Sequence, residues 1–163
     1  MGQAEDSASD GRNESEATRL DRNYGELLQE LRVAETGVQI LFAFMLSIAF
    51  QQRFQTLDHF ERTVYVLTLL ICTLSIAVLV APVAFHRLVF RLGLKEELVR
   101  ITSRLALVGT SLLLLAVLSG VLLIFDYVVG RGFAIVATSL LAVVFLSLWL
   151  VLPLSQRHRH RQR

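Results

Sequence analysis

Three long stretches of this chain carry no charged side chain: Thr63 to Phe85, Leu105 to Phe125 and Phe133 to Leu152. A fourth, weaker apolar run lies between Val33 and Phe50. As helices rising about 1.5 Å per residue, each of the three clean runs crosses roughly 30 Å of hydrocarbon. An apolar content of 54% would suit a soluble domain or a membrane protein, and the distribution decides between them. In lipid every backbone polar group must find its hydrogen bond inside the protein, and short gaps make sequential spans neighbours. The expected fold is therefore all-α, an integral membrane four-helix antiparallel bundle.

Charge sets the orientation of that bundle. Lys and Arg number 4 before the first run, 2 after it, 5 in the central gap, 1 in the third gap and 4 in the tail. One set of alternate compartments thus holds 13 basic residues against 3 in the other. Basic residues stay on the cytoplasmic side, so the N-terminus, C-terminus and central loop are predicted to be cytoplasmic and the location to be the cell (plasma) membrane, multi-pass.

The expected organisation has three parts. Residues 1–19 form an acidic cytoplasmic tail too poor in apolar side chains to order itself. Residues 20–152 form the transmembrane domain, with spans at about 31–50, 63–85, 105–125 and 133–152. Residues 153–163 form a basic cytoplasmic tail. Leu27, Leu28, Leu31 and Val38 recur at helical spacing, which predicts an amphipathic helix lying in the interface and bending or running into the first span. Thr36 to Phe50, the uncharged part of that span, is only roughly 22 Å long as a helix. Either it takes in Leu31–Glu35, or it continues past Gln51 and Gln52 with Arg53 snorkelling; a re-entrant segment is the third option. In the central gap, the patterns of Leu88, Val89 and Leu92 and of Leu94, Leu98 and Ile101 extend spans two and three as helices joined near Gly93. Gly130 and Gly132 suit a tight turn between the last two spans.

No residue pattern here assembles a metal cluster, a phosphate loop or a nucleophile–base pair; no cofactor and no metal site is expected, and the chain is not expected to be an enzyme. The constellation with most chemical content is Arg32, Glu35 and Gln39, a candidate intramembrane polar site. Glu35 and Gln39 share a helix face and would sit about 6 and 12 Å inside the boundary, where ionisable groups are expensive. One reading makes Glu35 a cation- or proton-binding carboxylate; the other pairs it with Arg32 or Arg104 to pin helix packing. Arg87, Arg91, Arg157 and Arg159 are candidate contacts to anionic lipid headgroups, each contributing about 1 kcal/mol near a charged surface. Nucleic acid is not expected as a partner.

Small residues recur every four positions: Thr73, Ala77 and Ala81; Ala116 and Gly120; Ala134, Thr138 and Ala142. Such stripes let helix backbones approach, within one chain or in a homo-oligomer. Cys72, in the middle of the second run, reads as a small packing residue.

The stretch from Glu26 to Phe44, the segment Phe50-Gln-Gln-Arg-Phe54 and the segment Ala81-Pro-Val-Ala-Phe-His-Arg87 together resemble an uncharacterised family, a domain of unknown function, of small actinobacterial four-span integral membrane proteins. The resemblance covers roughly Asp21 to Leu152 and implies a membrane fold without assigning an activity. The expected function is that of a non-enzymatic structural, regulatory or assembly component; the alternative is a small oligomeric channel or an ion/proton-coupled transporter.

Overall fold

Four helices make up almost all of the computed structural model, which describes residues 16–89 and 95–160. They are α1 (Glu16–Ile48), α2 (His59–Val89), α3 (Lys95–Val128) and α4 (Arg131–His160), with a 3₁₀ turn at Gln52–Thr56 between the first two. Each contains a stretch long and apolar enough to cross a membrane: Arg22–Ile48, His59–Phe85, Val99–Val128 and Arg131–Trp149. Glu16 to Arg19, assigned to the acidic tail on composition, belong to α1, while residues 1–15 lie outside the described residues.

α1 runs unbroken through Leu31–Glu35 and stops at Ile48, before Gln51 and Gln52. The expected prolongations of spans two and three are present, since α2 reaches Val89 and α3 starts at Lys95; Gly93 lies outside the described residues.

One spacing organises the buried positions. Along α1 these are Tyr24, Leu31, Val38 and Met45, seven residues apart. Along α2, Tyr65, Thr68, Cys72, Ser75, Leu79 and Pro82 alternate steps of three and four. Along α3, Thr102, Gly109, Ala116 and Leu123 are again seven apart. A period of 3.5 residues keeps one seam of a slightly under-wound helix turned toward its neighbours, as in knobs-into-holes packing.

Contacts divide the chain into two units, Met1–Ile40 with Thr73–Leu112, and Leu41–Cys72 with Leu113–Arg163. In the first, α2 and α3 approach closely at Gly109: a Cβ there would lie 2.5 Å from Leu79 Cδ2. The Ser75 hydroxyl donates to the Gly109 carbonyl at 2.9 Å, and the Tyr24 hydroxyl donates to the Pro82 carbonyl at 3.4 Å. Both bonds give a buried hydroxyl a partner where water is excluded.

The second unit is built on Met45, Tyr65 and Leu123, with Leu41, Ile48, Phe54, Val64 and Leu69 packed around them. The Tyr65 hydroxyl donates to the Met45 carbonyl at 2.9 Å, tying the end of α1 to the start of α2. Phe54 from the 3₁₀ turn meets the Tyr65 ring edge-on, centroids 4.8 Å apart. Gly120 admits Leu41, whose Cδ1 would be 3.7 Å from an added Cβ. α4 contributes one buried residue, Ala134, among those described between Arg131 and Trp149; Val136, Leu140 and Val143 are among its many exposed apolar side chains.

The small-residue stripes divide accordingly. Ala116 and Gly120 are buried, and Ala134, Thr138 and Ala142 lie on the packed side of α4. The α2 stripe does not pack within the chain: Thr73 and Ala77 are exposed and Ala81 half-buried, because the 3.5-residue seam through Cys72, Ser75 and Leu79 takes the inward face. Cys72 is fully buried in that seam.

Candidate functional site

The positions singled out on α1 do not converge. Arg32 and Gln39 are exposed and Glu35 is half-buried, flanking the Leu31–Val38 seam. The ion pairs described join Arg22 to Glu26 and Arg131 to Asp58 and Asp126. Among the ion pairs of the described residues none joins Glu35 to Arg32 or Arg104. Instead, the Arg32 carbonyl accepts the Thr36 hydroxyl at 2.9 Å, a bond internal to the helix. Of the arginines proposed for headgroups, Arg91 lies outside the described residues, and so do the side chains of Arg87, Arg157 and Arg159, whose backbones are helical.

The structure builds its polar constellation elsewhere, at the junctions of the second unit. Asp58 caps α2: its Oδ1 accepts the backbone N–H of Glu61 at 2.8 Å, while its own N–H donates to Glu61 Oε2 at 2.7 Å. This reciprocal capping box satisfies two backbone donors that a helix start otherwise leaves free. The free edge of the same carboxylate receives Arg131, whose Nη2 donates to Asp58 Oδ2 at 2.6 Å.

Arg131 also reaches Asp126 Oδ2 through Nη2 at 3.1 Å and Nε at 3.3 Å. Its guanidinium carbon stands 4.1 Å from the centroid of the Phe60 ring. A planar guanidinium presents a rigid fork of donors to two carboxylates while its face stacks on an aromatic ring, a geometry that an ammonium lacks. The Asp126 side chain is only 5% exposed, against 52% for Asp58. The backbone N–H of Glu61 and then the Arg131 guanidinium hold the Asp58 carboxyl below its ordinary range.

Arg131 is placed by the link before it. Val129 and Gly130 both donate their N–H to the Phe125 carbonyl, at 2.9 and 3.1 Å, closing the end of α3. Gly130 then adopts a φ of +117°, where L side chains are strained, and its carbonyl accepts from Ala134 to open α4. Of the two glycines expected in this turn, only Gly130 makes it; Gly132 is already helical.

Beside this cluster an open groove of about 440 Å³ runs between the end of α1, the 3₁₀ turn and the last turns of α3. Ile48, Leu57, Leu123 and Ile124 supply apolar wall; Gln51 and Gln52 supply amides.

Chemically, the cluster joins one cation, two carboxylates and an aromatic face, with each carboxylate in hydrogen-bond contact with the guanidinium. Among the described residues no group of three or more His, Cys, Asp and Glu could hold a metal ion. The missed residues did carry a signal. Asp58-His-Phe-Glu61 just before an apolar run is a helix-start signature, and Arg131 is the one basic residue in its gap, five positions after Asp126.

Residues 13–153 match a family described as a family of unknown function (DUF6328), and the chain belongs to that family. No curated protein matches the chain, and no solved structure does.

Proposed function

We propose that this chain is a four-span plasma-membrane protein, an antiparallel bundle with both termini in the cytoplasm. Within that bundle it acts as a non-enzymatic structural, regulatory or assembly component. The observation that carries the reading is the coincidence of four membrane-length helices with the 13-to-3 division of basic residues between alternate gaps. α4 supports it independently: a helix with one buried residue among those described, and apolar side chains around most of its circumference, needs a surrounding medium as apolar as itself. Anionic lipids at the cytoplasmic face are the partners proposed for Arg87, Arg91, Arg157 and Arg159.

Reporter enzymes fused after Asp58, Lys95, Asp126 and Arg163 test the topology. Signals diagnostic of the cytoplasm are expected from Lys95 and Arg163, and of the outside from Asp58 and Asp126. An external signal at Lys95 or Arg163 overturns the orientation.

Glu35 favours a second reading. It is half-buried within the Arg22–Ile48 span and joined to no cation among the described residues, which is where a channel or proton-coupled transporter would place an ion-binding carboxylate. Such a protein would work as an oligomer. Proteoliposomes loaded with wild type and Glu35→Gln separate the two: a proton or monovalent-cation flux lost in the variant selects the transporter, and no wild-type flux removes it.

A further inference from the structure

We propose that the groove beside the α1–α2 connection holds one acyl chain of an uncharged or zwitterionic glycerolipid, its ester region at Gln51 and Gln52. The inference rests on the membrane reading above. Its first support is the order of chemistry along the groove. Ile48, Leu123 and Ile124 lie inside membrane-length helices, whereas Gln51 and Gln52 follow the last residue of α1. Apolar wall therefore sits at hydrocarbon depth and the amides sit where the headgroup region begins, the same sequence that a lipid presents from chain to ester.

Charge supplies the second support. Among the described side chains none that lines the groove is Asp, Glu, Lys or Arg, so the described lining offers apolar and amide contacts and no ion pair. The amide NH₂ groups of Gln51 and Gln52 are donors suited to ester carbonyl oxygens.

The third is rigidity. Leu123 belongs to the core with Met45 and Tyr65, and Phe54 is held edge-on against Tyr65. These two walls of the groove are thus fixed by packing before any ligand arrives. At about 440 Å³ the space falls within the range of small-ligand sites. Ile124 is half-exposed at the side of the groove, an opening through which a chain enters laterally from the bilayer.

Native mass spectrometry of the intact chain, extracted in mild detergent and supplied with dioleoylphosphatidylcholine, tests this. Wild type is expected to retain one lipid per chain. Ile124→Trp and Leu57→Trp, which fill the groove from different walls, are expected to lower the retained fraction about tenfold or more. Circular dichroism and size exclusion establish that each variant is folded. A wild type that retains no lipid overturns the proposal, and so does equal retention by wild type and a folded groove-filling variant. A dimer without bound lipid, dissolved by either substitution, assigns the groove to a second copy and also overturns it. Release of the chain from membranes by alkaline carbonate would instead refute the membrane reading itself, a distinct outcome.

Discussion

Arg131 concentrates the polar energetics of the second unit in one side chain. Removing it leaves Asp126 almost fully enclosed without its cation, which costs more than losing the more exposed contact to Asp58. In detergent, Arg131→Gln is therefore expected to lower the Tm more than Asp58→Asn, because Asn still caps a helix well. The double change Arg131→Met with Asp126→Leu should recover most of the loss; additive effects would show that the two side chains do not interact. Asp58 adds a pH dependence of definite sign. Its carboxyl is held below the ordinary value of 3.8, first by the Glu61 backbone N–H and then by Arg131. The stabilisation is thus complete above about pH 4 and is lost as the pH falls through the lowered value. Melting curves in acid should show a steeper fall for wild type than for Asp58→Asn. A second single-residue test lies at Gly130, whose φ of +117° a Cβ would strain. Gly130→Ala is expected to cost about 1–2 kcal/mol, read as a shift in unfolding midpoint.

At the scale of the element, the decisive quantity is how closely α2 and α3 approach. Gly109→Ala would drive a methyl group into Leu79, and both atoms it meets belong to the branched end of a fully buried side chain. The expected loss is about 1–3 kcal/mol, largely restored by Leu79→Ala in the same chain. Ser75→Ala, which removes the bond to the Gly109 carbonyl, should cost only about 0.6 kcal/mol. Ala77→Leu, on the exposed side of α2, should be close to neutral. This contrast also explains what the sequence could not resolve. Stripes of small residues on α2 are visible at positions 73, 77 and 81, but a four-residue repeat says only that two backbones could meet there. Which side turns inward is settled by the partner helices, whose own 3.5-residue seams select Cys72, Ser75 and Leu79 instead. The buried face of α1 was partly legible, since Leu31 and Val38 stand out from charged neighbours such as Glu30 and Arg32.

For the whole molecule, four helices were readable because hydrocarbon forbids charge over a length of chain that is easily counted. In the weak first run the helix reaches back through Glu35. The Asp58–Arg131–Asp126 cluster was not readable as a cluster. Its members are far apart in sequence or lie in segments that read merely as gaps, and only the fold brings position 58 to position 131. The converse holds for Arg32, Glu35 and Gln39: helical spacing places Glu35 and Gln39 on one face, but proximity along a helix does not make side chains pair.

α4 is anchored at its beginning by the two-residue link, the Arg131 contacts and the buried Ala134, while the rest of its described residues are half-buried or exposed. That arrangement determines how the helix tolerates change. On the membrane reading proposed above, a side chain whose only neighbour is a fluid acyl chain is selected for its solubility in that fluid and not for its shape. A saturation scan should therefore find the exposed positions of α4, such as Val136, Leu140 and Val143, accepting any apolar residue and rejecting only charge. Arg131 and Ala134 should stand out as intolerant, with sensitivity crowded into the first turn and fading along the helix.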